Sequence, residues 1–148
     1  MRTAYDFDHQ IDGLENGRPL IIAHRGSSGV RPAHSISGYE LAIEHGTDII
    51  ECDLAVTKDL VLVCLHDEFL STVTNVSSMP EFAERQRRIG TRMDWFTTDF
   101  TLAEIKTIGL IQERGVRDQS FNNQFHIPTF EEYIKGTLLN VGTYFSPK

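Results

Sequence analysis

The sequence predicts an α/β protein with a mostly parallel sheet, and two observations carry that prediction. Short, nearly continuous apolar runs suit strands buried on both faces. Between them lie segments with helical apolar spacing, two of them opened by a Thr-x-x-Glu capping signature.

The elements follow in order. Residues 1–19 read as a leader, with turn signals at Asp12-Gly13 and Asn16-Gly17. Leu20 to Ala23 is a short apolar run expected to be a buried strand, and a loop with Gly26, Gly29 and Pro32 follows it. Ser35 to His45 carries Ile36, Tyr39, Leu41, Ala42 and Ile43 at helical spacing, and Gly46 stands where a C-terminal cap belongs. Asp48 to Val56 and Leu60 to Leu65 are the next strand candidates, joined by a turn at Lys58-Asp59. Residues 71–98 are less regular, more polar, and are expected to be a loop excursion, with Trp95 as an anchor and Arg85, Arg87 and Arg88 on a solvated face. Thr101 with Glu104 opens a helix through about Ile111, and Thr129 with Glu132 opens another through about Leu138. Val141 to Phe145 reads as a last short strand.

Composition narrows the function classes. The chain has 148 residues, 40% hydrophobic and 24% charged, which suits one globular domain. Its net charge of −7 argues against a general polyanion-binding role, so no nucleic-acid partner is expected. An anionic substrate would need a local cation. The longest apolar run, Leu60 to Leu65, is far short of the roughly 20 residues of a membrane span. The polar, acidic N-terminal stretch does not read as a signal peptide, and the compartment stays open. Cys52 and Cys64 sit in apolar runs and read as small buried hydrophobes.

Chemistry concentrates at strand ends. The first strand runs into His24-Arg25-Gly26, the third into His66-Asp67, and the second carries Glu51 and Asp53 among Ile49, Ile50, Cys52 and Leu54. Alternation puts Glu51 and Asp53 on one strand face. An unpaired carboxylate in apolar surroundings costs several kcal/mol, so a compensating cation is expected. Carboxylate oxygens suit Mg²⁺ or Ca²⁺; the alternatives are an exposed edge or an ion pair with arginine. If parallel strands close into a barrel, their C-terminal ends converge on one rim, placing His24 and His66 beside the carboxylates. Two imidazoles suit an acid and a base near neutral pH, and Arg25 suits a phosphate oxygen. His9, His34, His45 and His126 lie in leader, loop or helix-end positions and are not expected to take part.

These residues fall in a recognisable order: His24-Arg25-Gly26, Pro32-Ala33-His34-Ser35, Glu51-x-Asp53, Thr57-Lys58-Asp59 and His66-Asp67. Asp99-Phe100-Thr101-Leu102-x-Glu104-Ile105-Lys106 and Phe130-Glu131-Glu132 follow. The series resembles the glycerophosphodiester phosphodiesterases, in the manner of the bacterial exported branch and its eukaryotic relatives, over residues 20–148. The resemblance implies a (β/α)8 barrel, a divalent cation, and hydrolysis of glycerophosphodiesters to glycerol 3-phosphate and an alcohol. It implies His24 and His66 as the acid/base pair, Glu51 and Asp53 as metal ligands, and Arg25 and Lys148 as phosphate contacts. Two positions depart from the family pattern. Ala33 replaces a glutamate, and Ser146, in Tyr144-Phe145-Ser146-Pro147-Lys148, stands where the third metal carboxylate is expected. A complete barrel takes about 250 residues. The expectation is therefore the N-terminal half of a (β/α)8 barrel, weak or inactive as this chain and prone to self-association through open barrel edges. The alternative is a non-catalytic fragment of the same lineage that acts through protein association.

Overall fold

The structure, a computed structural model, describes residue 17 and residues 19–144, with side chains through residue 137. Most of the expected leader, together with Ser146 and Lys148, lies outside the described residues.

β1 (Ile22–Ala23) pairs in parallel with β2 (Ile49–Ile50), and α1 (Ile36–Glu44) makes the crossover between them. Ser35 caps α1, its hydroxyl accepting from the Gly38 N–H. Gly46 closes the helix at φ 73°, a left-handed conformation that a side chain would strain. β3 (Leu54–Val56) and β4 (Leu62–Cys64) then form an antiparallel hairpin.

The expected strand over 48–56 is thus broken in two, and its second half is not parallel to the next strand. The break is a change of partner. Glu51 N–H still donates to Ala23 O of the parallel pair (3.1 Å), whereas Asp53 C=O already accepts from Leu65 N–H of the hairpin (3.1 Å). The hairpin follows from a short turn: Thr57 Oγ1 bonds Asp59 Oδ1 at 2.6 Å and accepts from Val61 N–H, and Leu60 takes φ 64°. A turn this tight returns the chain antiparallel; a parallel return needs a crossover of a dozen residues or more.

The expected burial of these strands on both faces is also incomplete. Ile21, Ile22, Leu54 and Leu62 are exposed, at 56%, 58%, 43% and 46%.

The core sits under the excursion. Val63 and Leu65 from the hairpin pack with Leu70, Val73, Val76, Phe82, Trp95, Phe100, Ile105, Ile108, Leu110 and Ile127. Residues 71–98, expected to be a loop excursion, supply four of those side chains through irregular spacing. Two 3-10 turns, Val76–Ser78 and Pro80–Arg85, precede a second hairpin of β5 (Arg87–Ile89) and β6 (Arg92–Asp94). Trp95 anchors the segment, its indole donating to Phe82 O at 2.6 Å.

α2 (Leu102–Ile105) is shorter than the helix expected through Ile111. Its capping box is formed, with Thr101 and Glu104 each satisfying the other's backbone N–H. Glu104 is held down to about 2 by Arg85 and then by the Thr101 N–H. Beyond Lys106 the chain turns extended, because Gly109 and Leu110 pair with His126 and Thr74 instead of continuing the helix.

α3 (Phe130–Tyr144) includes Val141 to Tyr144, where the sequence suggests a strand. A helix that is already nucleated gains one hydrogen bond for each residue it adds, and no proline intervenes before Pro147. Its start is fixed by the second capping box, in which Thr129 N–H donates to Glu132 and Glu132 N–H to Thr129. α3 packs on α1 through an edge-on contact of Tyr133 with Tyr39, 4.7 Å between centroids. The Tyr133 hydroxyl also donates to Ile50 O of β2.

Candidate active site

Immediately after β1 the chain makes a sharp turn. Arg25 at φ 62° and Gly26 at φ 76° are both left-handed. At Gly26 a Cβ would meet Gly38 C at 2.9 Å, so glycine lets the turn lie on the first turn of α1. Ser27 N–H donates to Gly38 O, and Ser28 Oγ donates to His24 O. Left-handed backbone at Arg25 and again at His34 (φ 62°) is the kind of strain that collects at functional sites.

This turn and the partner-switching segment bring three donors together. One ligating atom each from His24, Glu51 and Asp53 lies within 4.8 Å of the others. Arg25 ties them: its backbone N–H donates to Glu51 Oε2 at 3.0 Å, and its Nε stands 3.4 Å from Asp53 Oδ2. Arg25 Nε also donates to His24 Nε2 at 3.3 Å. A guanidinium can only donate, so Nε2 is the accepting atom of this pair.

His34, expected to stand apart, forms the buried wall of the site. It is 2% exposed, its Nδ1 bonds the Tyr39 hydroxyl at 2.8 Å, and its Nε2 faces Asp53 Oδ2 at 3.3 Å. That last pair is close but out of hydrogen-bond alignment, so His34 Nε2 and Asp53 Oδ2 are both buried without a hydrogen-bond partner among the described residues. Ion proximity and hydrogen bonding are separate conditions here, and only the first is met. The one sequence signal for His34 was its place in the Pro32-Ala33-His34-Ser35 stretch.

Beneath the carboxylates, Cys52 and Cys64 are free thiols. The Cys64 thiol pulls half-buried Cys52 down to about 5, whereas the hydrogen bond with Cys52, and then burial, push Cys64 up. Burial likewise pushes the Tyr39 hydroxyl up.

His66 follows β4 and is exposed, with Nδ1 at 3.0 Å from Asp67 Oδ1. It is not a member of the His24, Glu51, Asp53 cluster. In front of His24 and Arg25 lies an open cavity of about 150 Å³, lined also by Ser28, Ala33, Glu113, Arg114 and Arg117.

The donor set fits a divalent cation. Two carboxylates and an imidazole within 4.8 Å of one another can share an ion whose metal–oxygen distances are about 2.0–2.6 Å. The buried Asp53 Oδ2, with no proton donor aligned to it, is an acceptor that a cation would satisfy.

Comparison with known proteins gives a consistent result. The family model described as the glycerophosphoryl diester phosphodiesterase family matches residues 24–148. A glycerophosphodiester phosphodiesterase of Arabidopsis thaliana is 46% identical over 129 residues, covering 84% of this chain and 35% of that protein. One of Haemophilus influenzae is 36% identical over 137 residues, covering 83% and 36%. The chain therefore spans about a third of the length of these curated relatives. Among solved structures, a phosphodiesterase of Oleispira antarctica in complex with the product sn-glycerol-3-phosphate aligns with TM-score 0.59 at 26% identity, covering 85% of this chain and 42% of that one. A Silicibacter pomeroyi structure aligns with TM-score 0.62 at 22% identity, covering 79% and 39%. The architecture is accordingly a partial (β/α)8 barrel.

Proposed function

Because the chain belongs to the glycerophosphoryl diester phosphodiesterase family, we propose that it carries the first catalytic elements of a metal-dependent hydrolase of glycerophosphodiesters. The products would be glycerol 3-phosphate and an alcohol. The observation that carries this reading is the convergence of His24, Glu51 and Asp53 around Arg25.

Glu51 and Asp53, beside His24, would hold the divalent ion, Mg²⁺ or Ca²⁺. When bound, the ion supplies positive charge to the phosphate oxygens. The remaining work falls to the chain's own groups. Arg25, its guanidinium beside the carboxylates, holds a phosphate oxygen, and Lys148 is assigned a second such contact by family position. His24 Nε2, which accepts from Arg25 Nε in this arrangement, would take a proton from the attacking water. His66, whose Nδ1 stands 3.0 Å from Asp67 Oδ1, would give a proton to the departing alkoxide. One proton is taken up and one is delivered.

The domain reading is part of the same proposal: a leader over 1–19, then the N-terminal part of the barrel over 20–148, with the excursion at 71–98 laid over its core. Ala33 lines the cavity without a carboxylate, which favours slow turnover by these 148 residues alone. The exposed Ile21, Ile22, Leu54 and Leu62 favour self-association through the open edges.

The test replaces the matching segment of the Arabidopsis thaliana relative with this chain. That chimera should hydrolyse at least one of glycerophosphocholine, glycerophosphoethanolamine and glycerophosphoserine. Chelation should abolish the activity, and Mg²⁺ or Ca²⁺ should restore it. Full activity in chelator would remove the metal role, and a folded chimera inert toward all three substrates would overturn the phosphodiesterase reading.

A further inference from the structure

The chain is acidic overall, at −7, yet the cavity in front of His24 is cationic. Arg25, Arg114 and Arg117 line it against the single carboxylate of Glu113. Arg25 is already paired with Asp53 at 3.4 Å, so Arg114 and Arg117 against Glu113 leave a surplus of one positive charge in about 150 Å³.

The wall that bears Arg114 and Arg117 is built onto the catalytic turn. Gln112 is 4% exposed, and its amide donates to Ser28 O and Arg31 O, both at 3.2 Å. Arg117 Nη1 donates to Ser28 O at 2.8 Å. Arg114, by contrast, keeps its guanidinium exposed, with no hydrogen bond to it among the described residues. Arg117 is therefore held in place, and Arg114 is available to a ligand.

A phosphodiester carries one negative charge, and Arg25 beside the carboxylates is positioned for it. The surplus at Arg114 and Arg117 has no further carboxylate among the described residues lining the cavity. An alcohol half bearing a quaternary or primary ammonium would be repelled from this wall, whereas a carboxylate or phosphomonoester would be held by planar, two-pronged contacts.

We propose that Arg114 and Arg117 form a second anion subsite, selecting glycerophosphodiesters whose alcohol half carries an anionic group of its own. The proposal rests on the phosphodiesterase reading for its substrate, but its binding test needs neither metal nor turnover.

The chain of 148 residues is titrated in chelator, at fixed ionic strength, with inorganic phosphate and with pyrophosphate, which carries two anionic groups. Arg114→Gln should weaken pyrophosphate binding about tenfold, the loss of one charge-assisted contact. Arg88→Gln, on the β5–β6 hairpin, should leave it as in the native chain. Equal pyrophosphate affinity in the native chain and Arg114→Gln would overturn the subsite, as would equal weakening by Arg88→Gln.

In the chimera, glycerophosphoserine and glycerophosphoethanolamine differ by one carboxylate. Arg114→Gln should lower the ratio of their kcat/KM values about tenfold, and an unchanged ratio would overturn the selectivity. An inert chimera whose chain still binds pyrophosphate through Arg114 would sink the phosphodiesterase reading and leave the subsite standing.

Discussion

In the chimera, His24→Ala should lower kcat by about 10²–10⁴, and His66→Ala by a similar factor. The size follows from the role. A positioned imidazole that takes or gives a proton in the transition state contributes that much, and among the described residues lining the cavity His24 is the one imidazole. His34 Nε2 is buried 3.3 Å from Asp53 and has no access to the cavity. The pH profile separates proton transfer from a merely structural contribution. An acid and a base together give a bell-shaped profile, and its acidic limb reports the base. His24→Ala should flatten that limb, and His66→Ala the alkaline one. A His24→Ala variant that keeps most of its rate would remove His24 from the mechanism. One that keeps both limbs but loses cation affinity would make it a ligand alone.

Phe100→Ala should cost about 3–5 kcal/mol of stability. Phe100 is fully buried, with its ring edge-on to Phe82 at 5.1 Å and the Arg85 guanidinium 5.1 Å above it. Its carbonyl accepts from Lys58 N–H at 2.8 Å, so the ring also fixes the turn of the β3–β4 hairpin that leads to His66. Domains have only about 5–15 kcal/mol in total, so this single truncation removes a large share. Urea denaturation followed by circular dichroism is the measurement. A midpoint within error of the native chain would show that the core is not centred where Phe100 sits.

What could be read from the sequence was the local part. Gly46, Thr101 with Glu104, and Thr129 with Glu132 act within a few residues, and all three form the helix termini they signal. The grouping of His24 with Glu51 and Asp53 was also legible, because charged groups at the ends of apolar strands are costly unless they meet a partner. Non-local choices were not. Glu51 and Asp53 stand where one segment exchanges a parallel partner for an antiparallel one, and that exchange is decided by β1 and β4 rather than by residues 48–56. Val141 to Phe145 is a short apolar run, which fits strand and helix equally until the helix before it is known. Val73, Val76, Phe82 and Trp95 follow neither period, so a polar excursion concealed a large part of the core. Arg114 and Arg117 carry no local signal, since only the docking of Gln112 on Ser28 and Arg31 brings them to the cavity.

Calorimetric titration of the chain with Mg²⁺ and with Ca²⁺ measures whether Glu51 and Asp53, beside His24, hold a divalent cation. Saturable binding of at least one of the two ions is expected, lost in Glu51→Gln and in Asp53→Asn and retained in Glu131→Gln, whose carboxylate lies on the exposed face of α3. Glu51→Gln and Asp53→Asn chains that bind as tightly as the native chain, or a folded native chain that takes up neither ion, would contradict it.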